Sequence, residues 1–138
     1  MTKTRPEARP GWEEIADKRY YFRSRWEVYH AKYLQLLKDH GQIKEWEYEP
    51  QTFWFNEIKR GTRSYLPDFR VTENDGSVVF HEVKGYMDSK SKTKLRRMKK
   101  YYPEVTIYLV QKDQIEEIKK KFSFIFKSDY KFGQKKKR

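Results

Sequence analysis

Residues 64–85 read SYLPDFRVTENDGSVVFHEVKG, and the way this stretch pairs with itself decides the fold. From Ser64 to Glu73 the pattern has period two. Tyr65, Pro67, Phe69 and Val71 share one side, and Leu66, Asp68 and Arg70 the other, as in a strand. Pro67 inside that run marks an edge or a bulge. Asn74-Asp75-Gly76 is a hairpin signal, Ser77 to Lys84 is the returning strand, and Gly85 ends it.

The loop length sets the parity of the hairpin. A two-residue turn at Asp75-Gly76 would pair Asn74 with Ser77 and send Asp68 and Glu82 to opposite faces. A three-residue loop pairs Glu73 with Ser77 and places Asp68 opposite Glu82. Three-residue loops put a left-handed residue last, and Gly76 stands there, so the three-residue register is favoured. Residues two apart on a strand point the same way, about 7 Å apart. Val78, Phe80, Glu82 and Lys84 therefore line one face, apolar at the start and ionic at the end.

Outward from the hairpin the chain alternates helices and strands. Phe22 to His40 is an amphipathic helix with Trp26, Tyr29, Tyr33, Leu36 and Leu37 at helical spacing, stopped by Gly41. Ile43 to Glu49 alternates as a half-exposed strand, and Phe53 to Phe55 is a second short one. After the hairpin come a helix from Ser89 to Tyr102, a strand from Val105 to Val110 and a helix from Asp113 to Lys121. Phe122 to Phe126 reads as a last strand or turn. Residues 1–21 read as an N-terminal arm, loose over its first 18 residues, with a short helical turn at Trp12 to Ala16. Residues 22–130 read as one domain, and residues 131–138 as a disordered basic tail. The fold class is α/β (α+β): a mixed central sheet flanked by helices.

With 138 residues the chain fits one domain. The absence of cysteine excludes disulfide scaffolds, thiolate zinc sites and thiol nucleophiles. No glycine-rich phosphate loop is present. His30, His40 and His81 share no ligand spacing. No apolar run is long enough to span a bilayer, and the first residues hold no signal-peptide core, so a cytoplasmic protein is expected. The net charge is +12, nearly all of it in the second half, which favours a polyanion, with DNA the first expectation and an acidic membrane or protein the second.

Two adjacent carboxylates repel and need a cation, a shared proton or an arginine. An all-oxygen set without histidine suits Mg²⁺ or Mn²⁺. Glu27, on the sheet-facing side of the first helix near Ala31 and Leu34, is a candidate third carboxylate. Ser24-x-x-Glu27 is equally a capping box, so Glu27 has two readings, cap and metal neighbour.

Pro67-Asp68 followed by Glu82-Val83-Lys84-Gly85 resembles the signature of the PD-(D/E)xK nuclease superfamily. Ser24-Arg25-Trp26-Glu27 is similar to that superfamily's first-helix glutamate element. The local form resembles its small phage and transposon branches, which include junction-resolving and transposon end-cleaving endonucleases. The resemblance implies a restriction-endonuclease-like core. It also implies that Asp68, Glu82 and the Val83 carbonyl bind divalent metal, with Glu27 completing the shell. Lys84 would act on the water nucleophile. It further implies a DNA endonuclease, on four-way junctions or other branched DNA, that works as a homodimer.

Helical spacing puts Lys90, Lys94 and Arg97 together on the helix that follows Gly85, where they are candidates for backbone phosphate contact. Arg63 and Arg70 are weaker candidates. Trp46, Tyr48 and Trp54 could stack on bases, although core packing is the simpler reading of each. A non-catalytic basic binding module, a ribonuclease of the same fold and a structural assembly protein stand as the alternatives.

Overall fold

The computed structural model describes residues 9–133. Its centre is a four-stranded sheet in the order β3 (Glu45–Tyr48), β6 (Phe69–Thr72), β7 (Val78–Val83), β8 (Ile107–Val110). The first three strands are antiparallel, and β8 runs parallel to β7. A parallel neighbour needs a crossover, supplied here by α2 (Ser89–Tyr101).

The hairpin takes the three-residue register. Phe69 lies opposite His81 and Thr72 opposite Val78, and Glu73 N–H donates to Ser77 O at 2.8 Å. Gly76 has φ +89°, the left-handed conformation this loop requires. Burial of Phe69 and Val71 enforces the register, since a one-residue slip would turn both outward at roughly 1.5–3 kcal/mol each.

The run from Ser64 to Glu73 is not one strand. Pro67 has no N–H to give a ladder, and the chain breaks around it. On one side, β5 (Ser64–Tyr65) pairs with β4 (Phe53–Trp54) as a separate ribbon; on the other, β6 enters the main sheet. Asp68 thus stands at the lead-in to β6, where its carbonyl accepts from Glu49 N–H at 2.7 Å.

Each sheet face has its own core. On one, Phe69, Val71, Val83 and Val110 meet Val28, Ala31 and Leu34 of α1 (Arg25–Asp39) and Ile115 of α3 (Lys112–Lys121). On the other, Phe80 meets Met98 of α2 with Phe53, Phe55 and Tyr65. A mixed sheet with helices on both faces and this element order is a restriction-endonuclease-like core.

The two ends of the chain need correction. The N-terminal segment is neither loose nor helical at Trp12 to Ala16. It is a hairpin of β1 (Gly11–Ile15) and β2 (Lys18–Phe22), which buries Ile15 and Phe22. Its turn, Ala16-Asp17, has φ +51° and +70° without a glycine, so the usual turn signature is missing. Glu13 locks it to α1 through Arg25 and Lys32, each at 3.2 Å. Of the two readings of Phe122 to Phe126 the turn is the one found, a 3₁₀ turn at Ser123–Phe126 whose Phe126 packs on Tyr29. At the start of the basic tail, Phe132 packs on the core and Gly133 N–H donates to Asp39 at 2.8 Å. The remainder of that tail, 134–138, lies outside the described residues, as do residues 1–8 of the arm. Among the described residues no helix is long and apolar enough to cross a membrane.

Candidate active site

A cleft of about 250 Å³ opens where the N-terminal turns of α1 and α2 approach the ends of β6 and β7. Asp68, Glu82, Val83 and Lys84 line it, with Glu27 and Arg23 from the start of α1 and Lys94 from α2. The hairpin register puts Asp68 and Glu82 opposite one another. Both are nearly inaccessible, at 5% and 8% exposure.

Each carboxylate is held by a specific donor. Asp68 Oδ2 accepts from Val83 N–H at 2.8 Å, which ties the head of β6 to the end of β7. Glu82 Oε1 accepts from Tyr65 O–H at 2.8 Å, and Lys84 Nζ lies 3.8 Å from Glu82 Oε2. Glu27 takes part in the helix cap and also lines the cleft. Ser24 Oγ caps α1 by accepting from Glu27 N–H at 3.2 Å, while Glu27 faces the cleft. Its Oε1 accepts from Arg23 N–H at 2.9 Å and from Tyr48 O–H at 2.7 Å. The reciprocal half of the capping box is therefore shifted by one residue, from Ser24 N–H to Arg23 N–H.

Burial first, and neighbouring charges second, explain the titration behaviour. Burial, then Glu82 and Glu27, push the Asp68 carboxyl well above its ordinary range against the pull of Val83 N–H and Arg23. Burial also raises Glu82, while Tyr65, Lys84 and Lys94 pull it back. The Tyr48 and Tyr65 hydroxyls, buried beside carboxylates, are raised and stay protonated donors. Burial first, then Lys90, lowers the Lys94 ammonium.

Among the described residues, no group of three or more His, Asp or Glu side chains is disposed to hold a metal ion. The donor set is instead two facing carboxylates, Asp68 and Glu82, with Glu27 committed to Tyr48 and Arg23. That suffices for a hard divalent cation. Mg²⁺ is commonly held by one or two carboxylates plus waters and substrate phosphate. Two carboxylates raised chiefly by burial, with Glu82 and Glu27 adding repulsion at Asp68, gain most from such an ion.

The three basic candidates on α2 separate. Lys94 lines the cleft, Lys90 is exposed a turn earlier and acts on Lys94 through its charge, and Arg97 does not face the cleft. The Arg97 guanidinium donates to the Thr62 carbonyl and fastens the loop before β5 to α2. Of the three aromatics weighed for stacking, Trp46 is core, its indole N–H donating to Gln35 at 2.8 Å. Tyr48 is bound to Glu27, and only Trp54 is exposed.

Sequence reasoning missed Arg23, Tyr48 as a carboxylate partner, and Tyr65. Arg23 pairs with Glu49 at the rim, and Glu49 sits at φ +47°, an uncommon conformation for a glutamate. Tyr65 alternates with the core residues of its run, so its pattern signals packing. Its hydroxyl reaches Glu82 only because β5 leaves the main sheet. Gly85 also acquires a reason. A Cβ there would lie 2.9 Å from Trp26 Cζ3, so glycine lets the chain leave β7 beneath the Trp26 ring, one residue from Glu27.

The chain belongs to the DUF1064 family, proteins of unknown function, whose model matches residues 11–117, from the first residue of β1 into α3. The β1–β2 hairpin is inside that matched region. The family is linked to PD-(D/E)xK-like phage endonucleases, which supports the superfamily and nothing finer. No curated protein matches the chain.

Proposed function

We propose that this member of the DUF1064 family is a divalent-metal-dependent endonuclease that hydrolyses DNA phosphodiester bonds. One observation carries the reading: Asp68 and Glu82 face each other at the floor of a cleft whose rim is Lys84, Lys94 and Arg23. Asp68 and Glu82, with the Val83 carbonyl, would hold Mg²⁺ or Mn²⁺. When bound, the ion supplies Lewis-acid polarisation of the phosphodiester and an acidified water.

The chain's own residues do the rest. Tyr65 and Val83 N–H each hold one oxygen of a carboxylate and leave the other for the ion. Lys84, on the same face as Glu82, orients the attacking water and offsets charge developing on the phosphate. Lys94 and Arg23 draw the backbone phosphate into the cleft. Glu27, held by Tyr48, keeps the α1 side of the cleft negative and can receive a water of the metal shell.

The test is a cleavage time course on four-way junctions, forks, plain duplexes, single strands and RNA, with Mg²⁺ and with EDTA. Metal-dependent cutting of DNA is expected. Binding without cutting of any substrate would favour a non-catalytic module, and cutting of RNA alone a ribonuclease. Sedimentation of the protein on a junction tests the homodimer that two-strand cutting calls for. Lys90→Ala and Lys94→Ala should each lower the slope of log K against log salt by about 0.9 on duplex DNA. Arg97→Ala should leave that slope alone, because its guanidinium serves Thr62.

A further inference from the structure

Most of the large aromatic side chains are packed into the two cores, but a few are displayed. Three of those are neighbours, along the chain or across a strand pair, of residues that line the cleft. Tyr86, at 80% exposure, lies between Lys84 and Met87, both of which line it. Its segment is short and fixed at both ends. Gly85 is pressed against the Trp26 ring, and Asp88 caps α2 by accepting from Ser91 N–H at 2.7 Å. A tyrosine in that position serves no core.

The second display is on the β1–β2 hairpin, two residues before Arg23. Ile15 and Phe22 turn inward, and Trp12, Tyr21, Glu14 and Arg19 turn outward. Trp12 and Tyr21 meet edge to face at 5.3 Å, and the Arg19 guanidinium covers the Trp12 ring at 4.8 Å. The acids of this hairpin's outward side, Glu14 and Asp17, lie toward its tip. The aromatic pair lies at the end that leads into the cleft. Both displays thus sit on the segments that lead into α1 and α2, between which the cleft opens, and each lies two residues along the chain from one of its cations, Lys84 or Arg23.

Flat π-faces next to cations match a nucleotide whose base is bare. In a continuous duplex the faces are already stacked and offer nothing to a tyrosine at the rim. We infer that Tyr86 and the Trp12–Tyr21 pair stack on unpaired bases flanking the bound phosphate. The site then takes DNA with single-stranded nucleotides beside the cut, such as overhangs, flaps and forks, in preference to plain duplex. This rests on the nuclease reading for the identity of the cleft, but not for its test.

The test is binding in EDTA, where no metal-dependent cutting occurs. Labelled forks and overhangs are compared with blunt duplex of the same sequence by fluorescence anisotropy. A 2-aminopurine base at the first unpaired position reports stacking directly. Wild type should bind the fork more tightly and quench the 2-aminopurine. Tyr86→Ala, and Trp12→Ala with Tyr21→Ala, should each weaken fork binding about 5-fold or more while duplex binding holds within about 2-fold. Tyr86→Trp should restore both binding and quenching, which separates stacking from damage to the fold. Unchanged fork affinity in the alanine variants, or an equal loss on blunt duplex, overturns the inference. So does loss of a protein dimer in the hairpin variant with fork binding intact, since that face would then be a self-association surface. A wild type that cuts nothing in Mg²⁺ yet keeps the aromatic-dependent preference would overturn the nuclease reading and uphold this one.

Discussion

Strand β7 contributes one member of an ionisable pair on each of its faces, His81 half-buried on one and Glu82 buried on the other. His81 turns to α1, where its Nδ1 lies 2.8 Å from His30 Nε2, and Glu82, the next residue, turns the other way to face Asp68. Burial moves both pairs toward their neutral forms. It lowers His30 well below the ordinary imidazole range and His81 to about 4, and it raises Asp68 and Glu82. The consequences differ. Two imidazoles at neutral pH are uncharged, and a single hydrogen bond between them suffices. With His30 Nε2–H as donor, the buried His30 Nδ1 is an acceptor without a partner, less costly than an orphaned N–H. Phe69, Tyr33 and Tyr108 pack around them. Both faces open to a cleft, but the one beside His30 and His81 is lined mostly by apolar and aromatic side chains such as Tyr33, Tyr108, Ile118 and Phe122, and the one at the carboxylates by the cations Arg23, Lys84 and Lys94. Burial, a perturbed titration and a neighbouring cleft are common to both pairs; facing acids ringed by cations belong to the site alone.

The sharpest way to break this comparison is chemical. Lys84→Ala should cut cleavage by about 100-fold or more while Mn²⁺ and DNA still bind, read by calorimetry beside the time course. Asp68→Asn and Glu82→Gln should abolish the metal heat as well. His81→Gln, one residue from Glu82, should leave cleavage unchanged. Loss of cleavage there would erase the distinction between the faces.

Gly85→Ala comes next. The added Cβ must displace the Trp26 ring, and a destabilisation of about 1–3 kcal/mol is expected in denaturant melts. Metal affinity should fall with it, because Trp26 adjoins Glu27. A melt identical to wild type would show that the ring moves freely.

The pH dependence of stability separates the pairs by sign. Asp68 and Glu82 have raised folded-state values, so their contribution is fully present below about pH 4 and is lost as pH rises through those values. Metal-free Asp68→Asn should therefore be more stable than wild type at neutral pH, by about 1–3 kcal/mol. That gap should close toward pH 4 and reverse when Mn²⁺ is added. His30 and His81 have lowered folded-state values, so their contribution is present above about 6.5 and is lost as pH falls toward 4. His81→Gln should flatten that acid limb at a cost near 1 kcal/mol, the smallest effect of the set. Thermal melts between pH 4 and 8 read all of these.

The local parts of this arrangement were legible in the sequence. Gly76 at the end of a three-residue turn was enough to bring Asp68 opposite Glu82, and Ser24 announced the start of α1. What could not be read depended on where distant segments meet. Tyr65 reaches Glu82 only once Pro67 has split its run, and Arg97 serves Thr62 only once the loop before β5 lies along α2. The Ala16-Asp17 turn is left-handed without the residues that announce it, and so a hairpin resembled an arm.

The turn at residues 74–76 holds little of the pairing it joins. From outside, β6 is gripped by β3 and β7 by β8, and each strand buries its own face against a core. The chain could therefore be severed there and expressed as two pieces, one with Glu27 and Asp68, the other with Glu82 and Lys84. Neither piece alone can assemble the facing carboxylates, so the complementation of one by the other would report, in a single signal, that two separately made polypeptides had found each other.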